Sequence, residues 1–502
     1  MSSSSEYEVK SLYKFLVNSV AKYGNKTAIF IGDDKVSYSQ LIYKVDNFAS
    51  YLNSIGIVAQ DRVALYMKNS VEFIVAIFAL SKIGAISVPI NTFLKSNEID
   101  YIIQNSGAKA MIVSDSFADT INESNVDKLC EHIIYTNSGA FDFVDNEEIK
   151  PYNVSLDDCA VIIYTSGTTG KPKGAMLSNK NILSNIKSGA KDIQVTSKDR
   201  TIVFLPMFHS FTLSIATLLP LYVGGSLVVI SSIHPFSNIF KQTLLKRVTI
   251  FMGVPDVYNA LAKAKLPWYF MWFNSIRIFV SGAAPLQSKT IEAMNQKFKR
   301  AKLLEGYGLS EASPAVAINR LDKQKAGSVG IALSGYSIKI VDENLDELPV
   351  GKVGEIIVQG DNVMMGYWQN PQASSQAIIN GWLLTGDMGY MDSEGFLYIV
   401  DRKKDLIISK GINIYPREIE EYIDKFDGVK VSAVIGEILD GIEYPVAYIE
   451  LEDDIKDIDI SQLKIYLKDK IANYKMPKRF HIVEQLPRNA TGKVLKRLLK
   501  QQ

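Results

Sequence analysis

The chain has 502 residues, 47% apolar and 22% charged, which suits a globular protein and excludes long disorder; at roughly 100–200 residues per domain it holds two to four domains. Lys and Arg number 55 against 54 Asp and Glu, so the formal charge of +1 gives no general attraction to nucleic acid. Two cysteines, Cys130 and Cys159, form no CxxC pair, which excludes a disulfide scaffold or a zinc ribbon and fits a reducing, cytoplasmic setting.

In chain order, Met1 to Lys10 is Ser-rich without an apolar run and reads as a frayed tail, not a signal peptide. Asp46–Leu52 reads as part of a helix, Arg62–Tyr66 as a strand and Val71–Lys82 as an amphipathic helix. Ala85–Pro89 is a predicted strand, Glu98–Gln104 a helix and Ala110–Val113 a strand. Strands separated by helices imply βαβ units and largely parallel sheets. A second such run covers about Ile182–Ser281. Within it, Thr201 to Phe240 contains no Asp, Glu, Lys or Arg, yet Pro206, Pro220, Gly224, Gly225 and Pro235 interrupt it. It reads as a buried strand, helix and strand, and no integral membrane segment is expected. Ser337–Val341, Glu355–Val358 and Phe396–Val400 are short strands between Gly turns, the pattern of an antiparallel or barrel-like region. A charged junction follows, Asp401-Arg-Lys-Lys-Asp405. Beyond it the chain restarts as a small α+β unit. Pro416 opens a helix to Phe426, strands fall at Val431–Val434, Val446–Glu450 and Arg479–Val483, and Ser461 caps a helix to about Ala472. Lys496 and Lys500 read as the solvated face of a last helix, with Leu495, Leu498 and Leu499 inside.

The strand pattern Ala160–Tyr164 runs into Thr165-Ser-Gly-Thr-Thr-Gly-Lys-Pro-Lys-Gly174, and Ser178 caps a predicted helix. Backbone N–H groups and hydroxyls of such a loop can surround phosphate oxygens, with Lys171 or Lys173 supplying charge. It is not a P-loop, because Thr165 stands where the first Gly belongs and Pro172 fills the Ser/Thr slot.

Tyr164–Gly174 resembles the signature loop of the adenylate-forming superfamily: acyl-CoA synthetases, adenylation domains of peptide synthetases, and firefly luciferase. Five more motifs follow in family order. Ser281-Gly-Ala-Ala-Pro285 is similar to the adenine loop, Glu305-Gly-Tyr-Gly-Leu-Ser-Glu311 to the nucleotide and magnesium motif, and Trp382–Gly389 to the ribose motif. Asp401–Asp405 with Ser409-Lys-Gly411 is similar to the hinge region, and Asn489-Ala-Thr-Gly-Lys493 to the C-terminal lysine motif. The resemblance implies an α/β fold. A large N-terminal AMP-binding domain, 1–400, would hold two α/β subdomains plus a distorted β-barrel. A small mobile α+β domain, 401–502, would follow.

It also implies residue roles. Thr165, Ser166, Gly167, Thr168, Thr169, Gly170 and Lys173 would hold the phosphates of ATP. Gly282, Ala283 and Ala284 would let the backbone approach adenine, and Tyr307, set among Glu305, Gly306, Gly308 and Ser310, would stack on it. Glu311 would ligate Mg²⁺, which typically keeps one or two protein carboxylates beside phosphate ligands. Asp387 and Arg402 would bind ribose. Lys493 would join the acid's carboxylate to the phosphates. In a first half-reaction the carboxylate attacks the α-phosphorus and displaces pyrophosphate; in a second, a thiol takes the acyl group and AMP leaves. Between them the small domain would rotate about Asp401, bringing Lys404, Lys410 and Gly411 to the CoA thiol.

Phe208-His209 occupies the acid-selecting position. Amino-acid-activating relatives commonly carry an aspartate there, so His209, read as a gate, favours an uncharged tail: a medium- or long-chain fatty acid first, an aryl acid second. Asn179, Thr212, Ser310 and Ile408 depart from common family residues, and Ile408 replaces a lysine of some CoA-binding members. A carrier-protein phosphopantetheine acceptor, luciferase-like oxygenation and an inactive ATP-binding protein are the competing readings.

Overall fold

The computed structural model describes residues 9–144, 149–165, 171–233, 235–282, 284, 286–409, 412–439, 442–453, 455–488 and 494–499. Ser166, Gly167, Thr168, Thr169, Gly170, Ala283, Lys410, Gly411, Lys493 and Lys500, together with most of the N-terminal tail, lie outside the described residues.

Among the described residues the large N-terminal domain carries three sheets. A seven-stranded sheet has parallel strands Cys159–Thr165, Ile86–Pro89, Arg62–Tyr66, Ala110–Val113 and His132–Tyr135, with two antiparallel strands added at one edge. A nine-stranded sheet is parallel at its centre. There Lys302–Gly308, Ile278–Ser281, Ile250–Gly253, Arg200–Val203, Ser226–Val229 and Thr27–Ile31 lie side by side. The Gly-turn region, Ser337–Val341 onward, forms a five-stranded antiparallel sheet. One apolar core runs between the two large sheets.

The helix Val71–Ile83 sits in that core. It is not amphipathic as expected: all but Glu72 and Ser81 are buried, so apolar neighbours surround it. The uncharged run folds as the strand Arg200–Val203, a wide π-helical segment Thr212–Leu218 continuing as Leu219–Tyr222, and the strand Ser226–Val229. Among the described residues no helix is long and apolar enough to cross a membrane.

The small C-terminal domain has apolar clusters of its own. A long hairpin, Val429–Leu439 with Ile442–Leu451, is joined in parallel by Arg479–Val483. Two local expectations change. The helix from Pro416 ends at Ile423. The helix Ile460–Lys468 is capped by Asp459, not Ser461, because the Asp459 carboxylate accepts from the N–H groups of both Ser461 and Gln462.

Candidate active site

The glycine-rich segment does not pass directly from strand to helix. A second strand, Lys173–Ser178, intervenes and pairs antiparallel with Cys159–Thr165; the helix starts only at Asn179, capped by Ser178. The two strands form a hairpin whose last described pair is Thr165 and Lys173. Its charge and hydroxyls, not the adjacent helix's N-terminus, are what the hairpin base offers to phosphate.

Glu311 reaches this base from the short turn Ser310–Ala312. Its Oε1 accepts from Thr165 Oγ1 at 3.2 Å and from Tyr367 Oη at 3.1 Å, and its backbone carbonyl accepts from Met364 N. Lys173 Nζ stands 5.2 Å from the centre of the Tyr367 ring. Burial and the Glu311 charge raise the Tyr367 phenol, so it stays a donor. Oε2 of Glu311 has no protein donor among the described residues. No cluster of three metal-ligating side chains occurs among them either. A single carboxylate with one open oxygen, beside the lysine and threonine at the hairpin base, fits a magnesium ion held mainly by phosphates and water.

The turn is fixed from behind at Gly308, where a Cβ would stand 2.0 Å from Pro314 O. Only glycine permits that approach.

The second half of the site is built on strand register. Asp387 on Trp382–Met391 pairs with Arg402 on Leu397–Arg402. Asp387 is buried; its Oδ2 accepts from Tyr307 Oη at 2.7 Å, and its Oδ1 lies 3.2 Å from Arg402 Nε. Burial and the Asp387 charge hold the Tyr307 phenol protonated. Arg402 is thus an ion-pair partner rather than a solvated charge. Each carboxylate oxygen keeps a lone pair for a hydroxyl, which is what a ribose needs. Glu305, one strand residue from Gly306, has its carboxyl pushed up to about 7 by burial.

Ser281 ends its strand beside Glu305, and a Cβ on Gly282 would stand 3.7 Å from the Phe211 ring. Ser310 and Ser210 hydroxyls meet at 3.0 Å. Next to them His209 packs on Phe208, with ring centres 5.5 Å apart, and burial pushes its imidazole down to about 4. It is neutral at physiological pH. Ala284 lies two residues beyond Gly282. Lys404 is exposed in the junction.

At the junction, Asp401 is buried and its carboxylate accepts from the N–H groups of Arg402 and Arg417, each at 2.8 Å. It therefore caps the first helix of the small domain. Lys496, expected on a solvated face, instead pairs with Glu420 at 2.7 Å. The stems of the 489–493 segment, Arg488 and Val494, bridge to each other. Arg488 also reaches Asp256, at the head of the helix that follows the strand Ile250–Gly253. Arg488, the residue before the segment, is thus held near the carboxyl end of the strand Ile250–Gly253, the end at which open α/β sheets bind ligands.

A family model of AMP-binding enzymes matches residues 16–368, and one of the AMP-binding enzyme C-terminal domain matches 418–493. The chain belongs to the AMP-binding enzyme family. A long-chain-fatty-acid–CoA ligase of Escherichia coli O6:H1 is 32% identical over 98% of this chain and 94% of the relative. A feruloyl-CoA synthase of an Amycolatopsis species is 32% identical over 94% of each. The ATP-bound crystal structure of MatB from Rhodopseudomonas palustris superposes with a TM-score of 0.91 at 33% identity, covering 98% of both chains. This AMP-binding enzyme is an AMP-forming acid–thiol ligase.

Tyr367, Thr385 and Glu355 were not expected. Thr385 Oγ1 accepts from Asp387 N, and Glu355 accepts from Gly386 N while pairing with Lys403. The hydroxyl two residues before Asp387 was a usable signal; Tyr367, 56 residues beyond Glu311, left none.

Replacing Tyr367 by Phe removes one donor to a carboxylate, a loss of about 1.5–3 kcal/mol. We expect kcat/KM for ATP in a pyrophosphate-release assay to fall at least about tenfold, with the melting temperature lowered by only a few degrees. Unchanged kinetics would take Tyr367 out of the site.

Proposed function

We propose that the protein activates a medium- or long-chain fatty acid as its adenylate and transfers the acyl group to CoA, releasing pyrophosphate and AMP. The observation that carries the choice of acid is the neutral His209 packed on Phe208, an apolar wall within a stretch, Thr201–Phe240, that has no Asp, Glu, Lys or Arg. A charged tail would lose its hydration there without finding a counter-charge. Phe208, with Phe93 edge-on at 6.4 Å, extends that wall. Each CH₂ buried along such a wall contributes about 0.8 kcal/mol, so affinity should rise with chain length until the pocket ends. An aryl acid is the second reading, favoured by the equal resemblance to a feruloyl-CoA synthase.

In the first half-reaction, both reactants are anions, and cationic and hydroxyl groups must offset their repulsion. We assign this to Thr165, Ser166, Thr168, Thr169 and Lys173 around the phosphates and to Lys493 between carboxylate and α-phosphate, with Asp387 and Arg402 holding the ribose. Bound magnesium, held by Glu311, would supply further neutralisation of the phosphates. In the second half-reaction we place the pivot at Asp401, with the domain boundary there, so that Lys410 and Gly411 line the path of the CoA thiol. The exposed Ile408 supplies no charge for CoA, which leaves Lys404 and Lys410 for that part. Cys130 and Cys159 are free, with thiols pushed up to about 12 by burial, which keeps them protonated and poorly nucleophilic. We place the enzyme in the cytoplasm.

Pyrophosphate release measured across C2–C18 acids and aryl acids, with and without CoA, tests the acid and the acceptor. The expected optimum lies among medium or long chains, with acyl-CoA as product. An optimum on aryl acids would replace the first reading by the second. Lys493→Ala is expected to slow adenylation at least about 10²-fold, the scale of one lost transition-state donor. It should leave thioester formation from supplied acyl-adenylate intact; equal loss of both steps would refute the alternation.

A further inference from the structure

The short helix Trp268–Phe273, sequence Trp-Tyr-Phe-Met-Trp-Phe, is held to the body by one buried ring. Phe270 is 3% exposed and meets Phe240 edge-on at 5.5 Å. Its neighbours point away. Trp268 is 71% exposed, Trp272 73%, Phe273 66% and Tyr269 47%. Four large aromatics in one turn and a half make a patch that a soluble surface does not need.

The setting is basic. Residues 241–300 contain ten Lys and Arg but only Asp256 and Glu292 as acids, an imbalance absent from the chain as a whole. Some of these cations face other partners: Lys263 pairs with Glu452 and Arg277 with Asp199. Arg300 does not. Its Nη2 donates to the carbonyls of Met271 and Trp272 at 2.7 and 2.9 Å, and so it borders the aromatic helix. Arg247, Lys265, Lys299 and Arg300 are exposed.

Topology gathers these groups. The aromatic helix precedes the start of the strand Ile278–Ser281. The helix Ser237–Leu245 ends just before Ile250–Gly253, and the helix Ser288–Lys297 just before Lys302–Gly308. These strands are parallel, so all three helix ends lie at the amino edge of the sheet, opposite the carboxyl ends that carry the site. Leu245, 60% exposed, belongs to the same edge.

We propose that this edge is a membrane-docking face, in which the aromatic helix enters the interfacial layer of a bilayer and the surrounding cations meet anionic lipid headgroups. Trp and Tyr favour that layer because their rings are apolar and their N–H or O–H groups polar. A basic rim adds attraction to acidic lipids that weakens with salt. A second copy of the chain is a poorer occupant, since a two-fold contact would face one cationic rim with another. Docking by this edge leaves the cleft turned to water, open to ATP and CoA. The proposal stands whichever acid is the substrate.

The test is co-sedimentation of the full chain with large vesicles of phosphatidylcholine alone or with 30 mol% phosphatidylglycerol, together with tryptophan emission. Two of the four tryptophans lie in the patch, so a blue shift on binding is expected. Partition onto the anionic vesicles should exceed that onto the neutral ones at least about tenfold and fall in 0.5 M salt, a Debye length of a few ångströms. The triple variant Trp268→Ser, Trp272→Ser, Phe273→Ser should lose binding at least about tenfold while adenylating a short soluble acid as before. The double variant Lys265→Glu, Lys299→Glu, which leaves the aromatics in place, should lose the preference for anionic lipid. Absence of partition in the unmodified protein, or unchanged partition in both variants, would overturn the proposal. So would a dimer seen by light scattering that the triple variant abolishes without any vesicle binding.

Discussion

The Asp387 carboxylate is the point on which the site depends. It sits buried on the antiparallel sheet, and a buried carboxylate is tolerated only with partners. Those partners come from two directions. Tyr307 reaches it from the end of a central parallel strand, and Arg402 from the adjacent antiparallel strand. The contact therefore ties the nine-stranded sheet to the antiparallel sheet at the junction with the small domain. Loss of any of the three groups would leave an uncompensated charge or donor between sheets, so the same atoms that can grip a ribose also fix where its floor lies.

A second tie sets the other end of the cleft. Glu311 joins the base of the Cys159–Ser178 hairpin, through Thr165, to Tyr367. The hairpin, the turn that carries Glu311 and the segment that carries Tyr367 lie far apart in sequence. Among the described residues the small domain meets the large one through polar contacts: the Arg417 guanidinium on the Ile399 carbonyl, the Gln287 amide on Asp424, and Arg488 on Asp256. Burial pushes the Asp424 carboxyl up to about 7. Polar contacts of this kind exchange readily for water, which suits the rotation proposed for this domain.

Much of this was legible in the sequence. Arg62–Tyr66, Ala110–Val113 and Arg479–Val483 are strands to the residue because each is a compact apolar or alternating run bounded by turn signals. The family motifs led to Glu311, Tyr307, Asp387 and Arg402, which the fold brings together in two clusters. What stayed hidden is what depends on distant partners. Lys173–Ser178, with its lysine and glycine, has little strand character alone; its pairing with Cys159–Thr165 makes it a strand. Lys496 read as solvated because nothing nearby in sequence announces Glu420. Ser461 read as the cap of its helix, whereas the fold gives that position to Asp459, two residues earlier. The π-helical segment Thr212–Leu218 has no local signature either.

The most direct measurement is a crystal structure with a hydrolysis-resistant acyl-sulfamoyl adenosine, which joins acid and nucleoside in one molecule. The account requires its ribose hydroxyls on Asp387, its sulfamoyl group beside Thr165, and its acyl tail along the Phe208–His209 wall. Density for the analogue away from both Asp387 and Thr165 would contradict it.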